Sequence, residues 1–165
     1  MTLYTTIDSP IGELLLGADG TALQRLHMLE APRPFRIPAG WERAARTDAP
    51  FADATHQLDE YFAGDRRTFD VPLELVGNPF ERRVWDELRE IPYGETVSYG
   101  YIARRIGAPS APRAVGLANG RNPVALIVPC HRVIGADGSL TGYGGGLERK
   151  RFLLELEAGT LSLAV

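Results

Sequence analysis

The stretch Asn122-Pro123-Val124-Ala125-Leu126-Ile127-Val128-Pro129-Cys130-His131-Arg132-Val133-Ile134 contains the only cysteine of the 165-residue chain. Its apolar run, Ala125 to Val128, reads as a strand-like segment stopped by a proline, which holds the next side chain rigidly at a sheet edge or pocket wall. A thiol is a strong nucleophile only as thiolate, and the adjoining His131 is a candidate proton acceptor. The competing reading is a buried structural cysteine, because a free thiol often packs as a small hydrophobe. The neighbouring sequence decides between the two.

No Asp or Glu occurs from Thr96 through Ala136, whereas Arg104, Arg105, Arg113, Arg121 and Arg132 all fall inside. With five of the 18 basic residues there and all 21 acidic ones elsewhere, the remainder carries a formal charge of −8 although the whole chain carries only −3. An acidic body bearing one acid-free, arginine-bearing segment is an electrostatic footprint for a polyanion. The segment also carries the punctuation of a helix-turn-helix. A helix capped by Ser98 runs to about Ile106 and is closed by Gly107; Ala108-Pro109-Ser110 makes a tight turn; a second short helix runs from about Ala111 to Asn119 and ends at Gly120.

Beyond the cysteine, Val133-Ile134 leads to Asp137-Gly138, a hairpin signal, and then to Gly142-Tyr143-Gly144-Gly145-Gly146, where backbone can come close to a ligand. The glycine run lacks the Gly-Lys-Ser/Thr ending of a phosphate loop, which argues against a nucleotide site. A last helix spans about Leu147 to Glu157, with Phe152, Leu153 and Leu156 as its apolar side and Gly159 as its stop; the tail to Val165 has no evident function. On the amino side, Asn78-Pro79 with Glu81 starts a helix whose buried stripe is Phe80, Val84, Trp85 and Leu88. Earlier still, Leu3 to Thr6, Glu13 to Leu16 and Ala22 to Met28 read as a small antiparallel sheet, residues 30–50 as a loop, Phe51, Ala54, Leu58 and Phe62 as one helix face, and Val71 to Val76 as another strand. The expected division is residues 1–77 and 78–165, each able to bury its own core.

One cysteine excludes an intrachain disulfide and suits a reducing compartment. No apolar stretch reaches bilayer length, and Met1-Thr2-Leu3-Tyr4 begins no basic-then-apolar signal, so a cytoplasmic protein with no membrane partner is expected. One cysteine and three dispersed histidines supply no zinc ligand set, and no cofactor is expected.

Asn122-Pro123, Pro129-Cys130-His131-Arg132-Val133-Ile134 and Tyr143-Gly144-Gly145-Gly146-Leu147 together closely resemble the active-site region of the O6-alkylguanine-DNA alkyltransferases, or methylated-DNA–protein-cysteine methyltransferases, of bacterial type. The resemblance extends from Phe80 and Trp85 through Val97-Ser98-Tyr99 and Arg113-Ala114-Val115-Gly116 to Glu157. It implies a fold that is α/β plus mostly α: an N-terminal ribonuclease-H-like α/β domain, then a C-terminal winged helix-turn-helix-like alkyltransferase domain. It also implies a reaction. Cys130 would attack the alkyl carbon of O6-alkylguanine in double-stranded DNA, and of O4-alkylthymine as a further substrate, and would keep the group as a thioether, one protein molecule per lesion. A soft, strong nucleophile suits displacement at an sp3 carbon.

By the same resemblance His131 looks like the base, acting through a bridging water, and Glu157 like the carboxylate that orients it, a triad logic with different side chains. Tyr99 looks like the proton donor to the guanine ring, and Asn122 like the tie between the helix-turn-helix and the cysteine segment. The carbonyls of Cys130 and Val133 would receive the guanine amino group. Tyr143 and Gly144 would lie on the substrate side, with the Gly144 amide facing O6; the mammalian pattern has serine at Gly144. Arg113 looks like the residue that fills the space of a flipped base, on a helix where small Ala114, Gly116 and Ala118, with Asn119, allow close approach to the minor groove. His27 and His56 take no role. The implied partner is lesion-bearing DNA bound by a monomer, with cooperativity left open. Rival readings are a helix-turn-helix regulator, for which no dimer helix is evident, a non-repairing lesion-binding protein, which carries another residue in place of the cysteine, and a cysteine hydrolase, for which no oxyanion site is identifiable.

Overall fold

The computed structural model describes residues 2–160, so the tail ending at Val165 lies outside the described residues. Strands β1 (Leu3–Ile7), β2 (Leu14–Asp19) and β3 (Ala22–Met28) form an antiparallel meander, and β4 (Glu42–Arg43) pairs in parallel with β1, giving the order β3-β2-β1-β4. The 30–50 segment is therefore a loop that contributes one short edge strand. Helix α1 (Phe51–Phe62) buries Phe51, Ala54, Leu58 and Tyr61, the i, i+3, i+7, i+10 positions of one face.

The expected strand at Val71 to Val76 reduces to a single parallel bridge between Leu73 and Leu23. Leu23 donates to the Pro72 carbonyl (2.8 Å) and accepts from the Glu74 amide (3.1 Å), but Pro72 has no N–H with which to lengthen the ladder.

Helix α2 (Pro79–Leu88) begins in a capping box: the Glu81 amide donates to the Asn78 side chain (2.8 Å) and the Asn78 amide to the Glu81 carboxylate (3.0 Å). Its buried Trp85 donates Nε1–H to the Ala118 carbonyl (2.8 Å), which docks α2 on α4 (Pro112–Gly120). Between them lie β5 (Val97–Ser98) and α3 (Tyr99–Arg105), whose first turn is capped by the Ser98 hydroxyl accepting from Tyr101 N–H (3.0 Å). A single 3-10 turn at Cys130–Arg132 leads into β6 (Val133–Ile134), and α5 (Leu147–Ala158) stops at Gly159 in the left-handed region (φ 72°).

Two expectations around the cysteine are corrected. Ala125 to Val128 is not a strand: Val124 alone bridges to Leu26, after which the chain coils into a turn closed by the Val128 amide on the Val124 carbonyl (3.0 Å), with Leu126 at φ 70°. The run is almost wholly buried, and apolar periodicity does not separate a buried strand from a buried turn. Asp137-Gly138 does turn the chain, but no hairpin follows; Val133 and Ile134 pair in parallel with Val97 and Ser98. The Asp137 carboxylate instead takes the Ser139 amide (3.0 Å) and hydroxyl (2.7 Å), a local turn that uses up the groups a second strand would need.

Buried residues from both halves form one continuous core, in which Leu26 of β3 meets Val124 beside the cysteine turn. Among the described residues no helix is long and apolar enough to cross a membrane, and no three His, Cys, Asp or Glu side chains are grouped to hold a metal.

Candidate active site

Asn122 builds the turn that presents the thiol. Its side chain accepts from the Val124 amide (3.0 Å) and donates to the Val128 carbonyl (2.7 Å), clamping both ends of the segment in which Leu126 holds its left-handed conformation. A leucine at positive φ is costly and persists only where its surroundings over-determine it, so the clamp and the buried run fix where the next residues point. Cys130 follows, 6% exposed, on the wall of a cavity of about 610 Å³. The cavity is lined from the first half by His27, Met28 and Phe35 and from the second by Gly116, Asn119, Asn122, Tyr143 and Gly144.

Burial pushes the Cys130 thiol up, opposed by the Asn122 amide and the Lys150 charge, so in the resting protein it holds its proton. Burial also pushes His131 down, against the pull of Glu157, leaving a neutral imidazole next in the chain. His131 is 0% exposed, with Nε2 2.7 Å from Glu157 Oε2. Its Nδ1 is buried and has no partner among the described residues, a group that only an ordered water would satisfy.

Glu157 is the hub. Burial alone would raise its carboxyl, but hydrogen bonds from His131 and Arg132 overcome this and hold it at about 2. Arg132 donates from Nε to Oε1 (2.7 Å) and from Nη2 to Oε2 (3.0 Å), while its Nη1 reaches the Ile91 carbonyl (2.7 Å). From the other half of the molecule, the Tyr61 hydroxyl donates to Oε2 at 2.6 Å.

Neither Tyr61 nor Lys150 is singled out by sequence reading. Lys150 is fully buried, and its Nζ donates to the carbonyls of Val133 (2.6 Å) and Thr141 (2.8 Å). A signal existed for it: Lys150, Leu153 and Glu157 sit at i, i+3 and i+7 on one helix face. Tyr61 takes the core position of α1 that the apolar spacing assigns to Phe62, which is only half-buried. His27, left without a role, lines the cavity stacked on Phe35 (4.0 Å between centroids) and is pushed down to about 4 by burial and by Arg25; His56 is exposed beside Glu60 (3.6 Å).

The remaining candidates divide by place. Tyr99 is half-buried; its hydroxyl donates to the Thr141 carbonyl (3.3 Å), and its ring lies 3.8 Å from where a side chain on Gly116 would begin. Arg113 is exposed at the start of α4, Ala114 and Gly116 half-buried. Ala118 (2% exposed) and Asn119 (3%) do not belong to the outer face of α4; they turn inward, because Trp85 takes the Ala118 carbonyl and Asn119 Nδ2 donates to the Cys130 carbonyl (3.3 Å). The two carbonyls expected to receive a guanine amino group are thus already engaged, Cys130 by Asn119 and Val133 by Lys150. Beside the buried Tyr143 hydroxyl, which has no partner among the described residues, Gly144 has open space where a side chain would stand, whereas a side chain on Gly145 would collide with Met28 Sδ.

Two family models match the chain: 6-O-methylguanine DNA methyltransferase, ribonuclease-like domain, over residues 2–75, and 6-O-methylguanine DNA methyltransferase, DNA binding domain, over residues 79–159. The methylated-DNA–protein-cysteine methyltransferase of Mycobacterium bovis is 58% identical over 158 residues, 95% of this chain and 93% of that protein. That of Methanosarcina acetivorans is 50% identical over 154 residues, 93% of this chain and 97% of that protein. Among solved structures, Mycobacterium tuberculosis OGT in complex with DNA superposes with a TM-score of 0.88 at 56% identity, covering 98% of this chain and 96% of that one. With a cysteine on a cavity wall, a buried imidazole–carboxylate pair directly behind it in the chain and the fold, and relatives this similar over nearly the whole length, the chain belongs to the 6-O-methylguanine DNA methyltransferase family, a ribonuclease-like domain followed by a DNA-binding domain.

Proposed function

We propose that this chain reverses DNA damage by taking the alkyl group of O6-alkylguanine onto Cys130. The observation that carries the reading is the thiol at the cavity wall followed directly by a buried, neutral His131 locked on the Glu157 carboxylate. The Cys130 proton passes through one water to His131 Nδ1, and Glu157 stabilises the imidazolium so formed. Sulfur then bonds to the alkyl carbon as the carbon–O6 bond breaks, and the departing guanine takes a proton from the Tyr99 hydroxyl at a ring nitrogen, leaving as a neutral base. Solvent reprotonates Tyr99. The product is a thioether that water does not displace, so each molecule acts once.

The base must leave the duplex to reach the cavity. α4 borders the cavity through Gly116 and carries Arg113 on its outer side, which suits Arg113 to the space the base vacates. Packed against α3, with β5 and β6 alongside, α4 serves as the second helix of a winged helix-turn-helix-like unit spanning 78–165, behind an N-terminal unit of 1–77. The protein works as a monomer in the cytoplasm, and O4-alkylthymine, with the same leaving oxygen, is a second substrate.

The test is the intact mass and peptide map of the protein after mixing with one equivalent of duplex bearing a single O6-methylguanine. A gain of one methylene on the peptide containing Cys130, with no second turnover, is expected; tight lesion binding with an unchanged mass would sink the reading in favour of a non-repairing lesion-binding protein. Arg113→Ala is expected to slow repair of duplex by roughly tenfold or more, the loss of about 1.4 kcal/mol or more of help in holding the base out of the stack, and to leave the reaction with free O6-benzylguanine within about twofold. Equal losses on both substrates would count against a role in flipping.

A further inference from the structure

We infer that Tyr61, a residue of the ribonuclease-like domain, is a positioning residue of the alkyl-transfer centre: its hydroxyl fixes the Glu157 carboxylate against His131. Tyr61 is 0% exposed, and its bond to Glu157 Oε2, at 2.6 Å, joins positions 96 residues apart. Packing does not require the hydroxyl. The ring contacts Phe62, Phe69 and Tyr93 at centroid distances of 5.2, 5.4 and 6.2 Å, contacts that a phenylalanine would keep. A buried hydroxyl is costly unless paired, and this one is paired with the carboxylate that holds the base.

Donor by donor, the arrangement leaves the carboxylate one orientation. Oε1 accepts from Arg132 Nε, and Oε2 accepts from Arg132 Nη2, from Tyr61 and, in the tautomer that leaves Nδ1 free to take a proton, from His131 Nε2. Three donors on one oxygen also divide its charge. Because Tyr61 draws part of it, Glu157 pulls less strongly on the imidazole, which helps His131 stay neutral until the thiol is ready to lose its proton. The charged and titratable groups facing this pair are Arg132 from the 3-10 turn, Lys150 from α5, Tyr93 from the segment after α2 and Tyr143 from the glycine loop, and none of them supplies a hydroxyl to Oε2. The first domain thereby contributes a group to the reaction centre of the second.

The inference rests on alkyl transfer to Cys130, and its test separates the two. The rate of Cys130 alkylation by free O6-benzylguanine is followed against pH in the full-length protein. Without the Tyr61 hydroxyl both Glu157 and His131 bind a proton more readily, so Tyr61→Phe should move the acid limb of the profile upward by about half a pH unit. Loosened orientation should also lower the plateau rate by about threefold to tenfold, by the same factor for duplex substrate, with DNA affinity unchanged. Tyr93→Phe, whose hydroxyl reaches only the Leu156 carbonyl (3.5 Å), should leave the limb in place. Incorporating 3-fluorotyrosine at 61, a stronger donor of the same shape, should move the limb the other way. Limbs that coincide in wild type, Tyr61→Phe and the fluorinated protein would overturn the inference even if rates fell, since a purely structural loss lowers the plateau alone. Failure of the wild type to be alkylated would sink the proposed function instead.

Discussion

Glu157→Ala is expected to abolish measurable alkyl transfer and to cost about 3–5 kcal/mol of folding stability, the range for removing one partner of a buried ion pair. The size follows from what is left behind. Arg132 is 6% exposed and would keep a guanidinium in the core with no carboxylate, only the Ile91 carbonyl and the face of the Tyr93 ring (5.7 Å); His131 and Tyr61, both 0% exposed, would lose their acceptor together. Glu157→Gln should recover part of the stability, since an amide oxygen still accepts, but little activity, since its NH2 opposes donors from Arg132 and the carboxylate charge is gone. Urea unfolding at neutral pH reads the difference. The pH dependence supplies a second check. Glu157 is held at about 2 against 4.5 for a free carboxyl, so the folded state gains stability that is fully present above about 4.5 and is lost as pH falls through that window toward 2. In Glu157→Ala that part of the acid dependence should vanish. A variant as stable as wild type, with the same acid dependence, would mean that the network contributes nothing to folding.

The parts of this site that were legible in the sequence are those coded by short-range chemistry. Asn78-Pro79 and Glu81 announce a helix start because capping needs only residues three apart; the helix starts there, and the structure adds a reciprocal capping box. The spans of α1, α4 and α5 follow from apolar spacing and from glycines at Gly120 and Gly159, and the cysteine block stands out because no other thiol competes with it. What was not legible depends on packing. The run before Cys130 became a turn because the Asn122 side chain, rather than a neighbouring strand, satisfies its backbone at Val124 and Val128. Asn119 turned inward because Trp85, 33 residues away from Ala118, docks that face of α4 on α2. Apolar spacing picks Phe62 rather than its neighbour Tyr61 for the buried face of α1, and only the approach of α1 to the end of α5 gives the Tyr61 hydroxyl a meaning.

Cys130→Ser is expected to leave no alkyl transfer detectable over hours while binding of duplex carrying O6-methylguanine stays within about twofold of wild type, because the two depend on different atoms. Transfer needs a group that can lose its proton to an imidazole and attack an sp3 carbon. The thiol, though pushed up by burial, remains within reach of a neutral His131 helped by Glu157, and sulfur is soft. A serine hydroxyl in the same enclosed place is far too weak an acid for that base, and its oxygen is a hard nucleophile, so intact His131 and Glu157 cannot rescue it. Binding, under the proposed function, draws on the outer side of α4 with Arg113, on the cavity lining as a whole and on the backbone around Gly144; Cys130 is one lining residue among many, and a serine there keeps its place and nearly its size. Mass spectrometry of the variant mixed with lesion duplex reads the first quantity and a gel-shift titration at fixed salt reads the second. Methylation appearing at another residue of the variant would move the nucleophile away from position 130. Loss of lesion binding with the fold intact would mean that the thiol itself, rather than the pocket around it, recognises the damaged base.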